Sequence, residues 1–151
     1  MKSNRVIYFA YGANLDLRGM RLRCPGHIQM ARAVLPDYRL VFRGVADIEQ
    51  MQGEKVYGAL YQLTQKHLGA LDRFEGYPTL YKRKTVTVTI DDGTSVKALV
   101  YIMTDRKWYA PPGNGYLETI ITGCRDWQTP EEYIRSIIKS AADSHFGGKF
   151  K

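Results

Sequence analysis

From Thr85 to Met103 the side chains alternate in a way that only paired β-strands use. Thr85, Thr87 and Thr89 alternate with Val86, Val88 and Ile90, so a period of two separates a polar face from a branched apolar face. Asp91-Asp92-Gly93-Thr94 supplies the turn, because Asp and Gly tolerate the backbone angles a tight hairpin needs. The returning segment puts Val96, Ala98, Val100 and Ile102 on one face and Lys97, Leu99, Tyr101 and Met103 on the other. Two strands alone cannot bury enough apolar surface to be stable, so the rest of the chain must complete the sheet and cover it.

The remaining segments supply those parts. Val6 to Tyr11 reads as a fully buried strand, broken by Gly12 and Asn14. Asp16 is placed to cap a helix over Leu17 to Arg23 that Pro25-Gly26 ends. Ala31 to Leu35, Arg39 to Phe42 and Val56 to Leu63 read as strands separated by Pro36-Asp37, a polar stretch and Gly53. Thr64 starts a helix on which Leu68, Leu71 and Phe74 recur, and Gly76 and Pro78 stop it. Ala110 to Gly115 is an irregular loop, and for Tyr116 to Cys124 the pattern does not choose between helix and extended chain. Thr129-Pro130-Glu131-Glu132 predicts a helix with Thr129 as N-cap and Pro130 at its first position. Ile134, Ile137, Ile138, Ala141 and Ala142 would form its apolar stripe, and Gly147-Gly148 would end it. The expectation is one α+β domain spanning 1–151.

Composition narrows the function. The chain of 151 residues is 44% hydrophobic and 25% charged, the mix of a globular protein. No apolar run reaches the ~18 residues of a membrane helix, and the start Met1 to Ala10 reads as a strand rather than a cleavable leader. A cytoplasmic protein with no membrane partner is expected. Cys24 and Cys124 lack metal or redox spacing, and His27, His67 and His145 are scattered, so neither a metal nor another cofactor is expected. The net charge of +7 raises nucleic acid as a partner. The cations are spread, however, and Lys82-Arg83-Lys84 on a strand would point to alternating faces, so nucleic acid is not the expected partner.

Two features call for chemistry. Glu75 falls at the end of the helix starting at Thr64, where a carboxylate faces the negative end of the helix dipole at a cost of roughly 0.3 to 1 kcal/mol. Partial burial would raise its proton affinity toward the range useful near neutral pH. Tyr11-Gly12-Ala13-Asn14-Leu15 leads from a strand into a helix start, an arrangement that presents main-chain N–H groups to an anion or developing oxyanion. Taken alone, each also fits a structural role, Glu75 as a solvated helix end and the turn as a connector.

Together with Arg23-Cys24-Pro25, Leu71-Asp72-Arg73-Phe74-Glu75-Gly76, Tyr81, Tyr101-Ile102-Met103-Thr104, Ala110-Pro111-Pro112 and Tyr116, these segments make the sequence resemble the γ-glutamyl cyclotransferase fold family, which includes AIG2-like proteins and the butirosin-pathway enzyme. The resemblance runs from about Val6 to at least Tyr116. It implies a small mixed β-barrel flanked by helices, with Glu75 as acid/base and Tyr11, Gly12, Ala13, Asn14 and Leu15 holding the glutamyl group. Tyr81, Tyr101 and Tyr116 would approach the same pocket. Ala13 stands where the family most often has Ser, so a hydroxyl contact there is missing while main-chain contacts survive.

The reaction implied is cyclisation of a small γ-glutamyl amide or amino acid to 5-oxoproline and a free amine. The substrate's own α-amino group attacks its γ-carbonyl, so the protein need supply neither nucleophile nor metal. The identity of the leaving amine, the ligand of the turn (α-carboxylate or oxyanion) and the oligomeric state stay open at this level. The alternative is a non-catalytic module that uses its basic surface to bind RNA or an acidic protein.

Overall fold

A computed structural model describes residues 4–106 and 108–144. Among these, five strands close into a barrel in the order β1-β3-β2-β4-β5: β1 Val6–Ala10, β2 Ile28–Arg43, β3 Val45–Leu63, β4 Tyr81–Ile90 and β5 Ser95–Met103. Neighbours run antiparallel except β1 and β5, which meet in parallel at Tyr8 and Leu99. The barrel is therefore mixed, and α1 Leu17–Arg23, α2 Gln65–Glu75, α3 Asn114–Asp126 and α4 Glu131–Asp143 flank it. No described helix is long and apolar enough to cross a membrane.

The Thr/Val alternation becomes the β4–β5 hairpin, in register from Tyr81 opposite Met103 to Thr89 opposite Ser95. The turn between them carries Gly93 at φ 88°. Its apolar face enters a core that includes Phe9, Phe42, Leu60, Tyr61, Leu71 and Ile120. Cys24 and Cys124 are both buried thiols, and burial pushes each up to about 11.

Three local expectations need correction. Ala31 to Leu35 and Arg39 to Phe42 are one strand, because Pro36-Asp37 forms a bulge rather than a break. Asp37 adopts φ 61° there and accepts a hydrogen bond from the Gly53 N–H at 3.0 Å. The polar stretch after Phe42 is the first half of β3. Its charges look like a loop in sequence but pair across the ladder: Glu49 lies opposite Arg39 and bonds it at 2.6 Å, and Asp47 bonds Arg43 at 2.9 Å. Asp47 is fully buried and also accepts from the Met103 N–H, which ties this arm to β5.

The third correction is the cap of α4. Thr129 donates its N–H to Cys124 and belongs to the turn, while Pro130 is the N-cap and its carbonyl accepts from Tyr133 and Ile134. The buried face of α4 carries Tyr133, Ile134, Ile137, Ser140 and Ala141, and Ile138 is left 46% exposed. The Gly147-Gly148 stop lies outside the described residues. Tyr116 to Cys124, undecided in sequence, is helical within α3.

Candidate active site

Glu75 is the last residue of α2, and Gly76 ends the helix in the left-handed conformation at φ 67°. Thr64 starts that helix by accepting from the His67 N–H, and the His67 ring returns a bond to the Thr64 N–H. His67 also bonds the Pro25 carbonyl at 2.6 Å, which pins the start of α2 to the turn after α1. The result is a carboxylate held at the wall of a cavity of about 120 Å³.

The opposite wall is the turn after β1. Ala13–Leu15 form a single 3-10 turn in which Leu15 donates to Gly12 and Asp16 to Ala13. The N–H groups of Gly12, Ala13 and Asn14 precede these first internal bonds, so the turn itself does not use them. Gly12 has φ −126°, which removes the left-handed explanation for a glycine here. Space is the requirement instead: a Cβ on Gly12 would lie 3.3 Å from Ala46 Cβ and 3.7 Å from the Tyr116 hydroxyl.

Asn14 joins the two walls. Only 2% exposed, it donates Nδ2 to the Tyr8 hydroxyl at 2.9 Å and to Glu75 Oε1 at 3.4 Å. Its Oδ1 accepts from Arg23 Nε at 2.9 Å, and its carbonyl accepts from the Tyr61 hydroxyl at 2.7 Å.

Tyrosines complete the cavity. Tyr81 donates to the Ala46 carbonyl at 2.6 Å, and Tyr116 accepts from the Ala46 N–H at 2.9 Å, so the two hydroxyls clamp one residue of β3. Tyr11 donates to the Tyr101 carbonyl at 2.7 Å. Tyr101 presents its ring to the cavity while its hydroxyl donates to Asp72 at 2.6 Å, and Asp72 is also paired with Arg83.

Burial is the main influence on the ionisable groups. It pushes the Glu75 carboxyl from its ordinary 4.5 up to about 7, with the Arg23 guanidinium opposing. It raises Tyr8, Tyr11 and Tyr81 well above the usual phenol range and Tyr116 to about 12, with the Glu75 charge adding to each. These hydroxyls stay protonated near neutral pH, leaving Glu75 as the cavity group that can exchange a proton there. Among the described residues no cluster of His, Cys, Asp or Glu could hold a metal ion.

The sequence-based candidates Tyr11, Gly12, Ala13, Asn14, Glu75, Tyr81, Tyr101 and Tyr116 all line this cavity. Leu15 does not. It is 1% exposed and faces α3, where it packs against Gly123, and its carbonyl accepts from the Trp127 indole. Five lining residues were missed in sequence: Tyr8, Val45, Ala46, Phe74 and Leu80. Val45 and Ala46 had no readable signal, because their arm looked like a loop. Phe74, expected as part of the α2 apolar repeat, is instead 48% exposed and lies at the cavity.

Residues 8–129 match the family model described as Gamma-glutamyl cyclotransferase, AIG2-like. The human protein named Gamma-glutamylcyclotransferase is 30% identical over 95% of this chain and 82% of its own length. Its mouse counterpart is 28% identical over the same shares. A solved structure of a gamma-glutamyl cyclotransferase superposes with a TM-score of 0.83 at 27% identity, covering 98% of this chain and 94% of the other. The family match, the sequence likeness and the superposed fold agree, and the chain belongs to the gamma-glutamyl cyclotransferase, AIG2-like family.

Proposed function

We propose that this protein cyclises a γ-glutamyl amide or γ-glutamyl amino acid, releasing 5-oxoproline and a free amine. The observation that carries the reading is Glu75, a partly buried carboxyl with proton affinity near neutrality, lining one small cavity with the Gly12–Asn14 turn. The substrate's α-nitrogen attacks its own γ-carbonyl carbon, the ring C–N bond forms, and the amide C–N bond to the leaving amine breaks. Ionised Glu75 takes a proton from the α-ammonium, whose pKa of about 8 keeps it protonated near neutrality. After attack the ring nitrogen sheds its second proton, and Glu75 relays protons to the leaving nitrogen, so the two protons lost by the α-nitrogen leave with the amine as an ammonium. The Gly12–Asn14 amides are available for the α-carboxylate or the oxyanion. Fixing the attack geometry can itself contribute on the order of 7 to 11 kcal/mol, which suits a cavity of clamped tyrosines.

A panel of γ-glutamyl amino acids, γ-glutamyl-ε-lysine, glutathione and γ-glutamyl polyamines, assayed for 5-oxoproline release, tests the reading and identifies the leaving amine. At least one member should turn over; release from none would overturn it. On the best substrate, kcat/KM should rise with pH along an acid limb with its midpoint near 7, as Glu75 ionises. A limb near the ordinary 4.5 would show that the cavity does not hold the Glu75 carboxyl near neutrality.

The turn offers a second check. In Gly12→Val the branched side chain meets Ala46 and the Tyr116 hydroxyl, so turnover should fall several-fold with the fold retained. Ala13→Ser adds only a hydroxyl at the cavity wall, and turnover should persist or rise. Kinetics with thermal melts on both variants decide the matter: a fully active Gly12→Val protein would show that the turn only connects.

A further inference from the structure

Arg23 does not itself line the cavity, yet it bonds the residue that joins the two walls. It is the last residue of α1, and its Nε–H occupies Asn14 Oδ1 at 2.9 Å. An amide whose oxygen is held in this way can present only its Nδ2 donors elsewhere, here to Tyr8 and Glu75. If the amide turned over, its oxygen would face an ionised carboxylate, which is repulsive. The guanidinium carbon lies 4.1 Å from the centre of the Phe74 ring, next to Glu75 in the chain. One edge of the guanidinium is therefore used to orient Asn14 and one face is stacked on the helix that carries the base.

A second observation shows that stability alone does not explain this placement. Arg23 Nη2 is buried and makes no hydrogen bond, an arrangement that costs free energy and calls for a reason. The other groups facing Glu75 are Tyr8 from β1, Tyr11 just after it, Tyr81 from β4 and Tyr116 from α3, all protonated near neutrality. Asp72, on the same helix as Glu75, is occupied by Arg83 and Tyr101. The Arg23 charge acts on Glu75 in the opposite sense to burial.

We propose that Arg23 is a positioning residue for proton transfer: through Asn14 and through its own charge it holds Glu75 ionised and oriented for the substrate ammonium. This rests on the acid/base role given to Glu75 above. Arginine suits the task better than a neutral donor because it supplies a fixed planar N–H and a permanent charge at once.

The test follows the Glu75 carboxyl directly, by 13C NMR titration of protein labelled at glutamate carboxyls and assigned with Glu75→Gln. In Arg23→Gln the Glu75 midpoint should rise by about one pH unit, and kcat/KM at pH 6 should fall by about tenfold more than at pH 9. Arg23→Lys, which keeps the charge, should bring the midpoint most of the way back. Should Arg23→Gln not fold, Phe74→Leu, which removes the ring under the guanidinium at a half-exposed site, should move the midpoint in the same direction by a smaller amount. An unchanged midpoint in folded Arg23→Gln, or in Phe74→Leu where that variant stands in, overturns the proposal, whatever the protein does to substrate. The catalytic reading of Glu75 fails on a different result, full activity of Glu75→Gln, so the two are separable.

Discussion

Glu75→Gln is expected to lower turnover by at least about a hundredfold, the usual contribution of a general acid/base group, while making the protein more stable above neutral pH. The substitution is nearly isosteric, and its amide can still accept from Asn14 Nδ2, which bonds the carboxylate at 3.4 Å. The stability effect follows from linkage. The Glu75 carboxyl titrates near 7 in the fold against an ordinary 4.5, so between those values the folded state binds more protons than the unfolded one. Stability therefore falls as pH rises across that window, by up to about 3 kcal/mol once both states are ionised. Gln carries no such penalty. Thermal melts at pH 5 and pH 8 should show little difference between variant and wild type at the lower pH and a higher Tm for the variant at the upper one. Wild-type turnover by the folded variant would sink the mechanism. A variant less stable than wild type at pH 8 would show that Glu75 is not held ionised at a cost.

That combination explains why Glu75 could be picked out in sequence at all. A carboxylate at a helix C-terminus contradicts local preference, and such contradictions concentrate where function outweighs stability. The β4–β5 hairpin was legible for the opposite reason: Thr85 to Ile90 satisfies pattern and turn chemistry together. The arm from Val45 to Lys55 was hidden because its charges look like a loop until the β2–β3 ladder pairs them, Arg39 with Glu49 and Arg43 with Asp47. With the arm went Ala46, whose main chain receives Tyr81 and Tyr116. Asn14 was placed at the site by its motif, but its bonds to Tyr8, Arg23 and Glu75 depend on how α1 and α2 lie across β1, which periodicity does not encode. The Thr129 cap failed for a smaller reason: Thr129 and Pro130 can each begin a helix, and the bond from Thr129 N–H back to Cys124 decides between them.

Gly123→Ala is expected to damage the site from behind, without placing an atom in the cavity. Gly123 is buried in α3, and a Cβ there would fall 2.5 Å from Leu15 Cβ and 2.6 Å from both Leu15 C and Asp16 N. Two of these are main-chain atoms of the 3-10 turn, so no rotamer change relieves the overlap. Helix propensity favours Ala over Gly by roughly 1 kcal/mol, but overpacking against backbone costs about 1 to 3 kcal/mol, and the loss should win. Either α3 retreats, loosening the Tyr116 clamp on Ala46 and the Trp127 bond to the Leu15 carbonyl, or the turn moves and carries Asn14 away from Glu75. Both routes lower turnover, by about tenfold or more given how steeply rate depends on alignment, and Tm should drop by about 3 to 8 °C. Gly115→Ala is the control on the same helix, since a Cβ there meets nothing within 4 Å; it should leave turnover unchanged and raise Tm slightly. If Gly123→Ala melts and turns over like Gly115→Ala, the close contact between α3 and the turn does not set the geometry of the site.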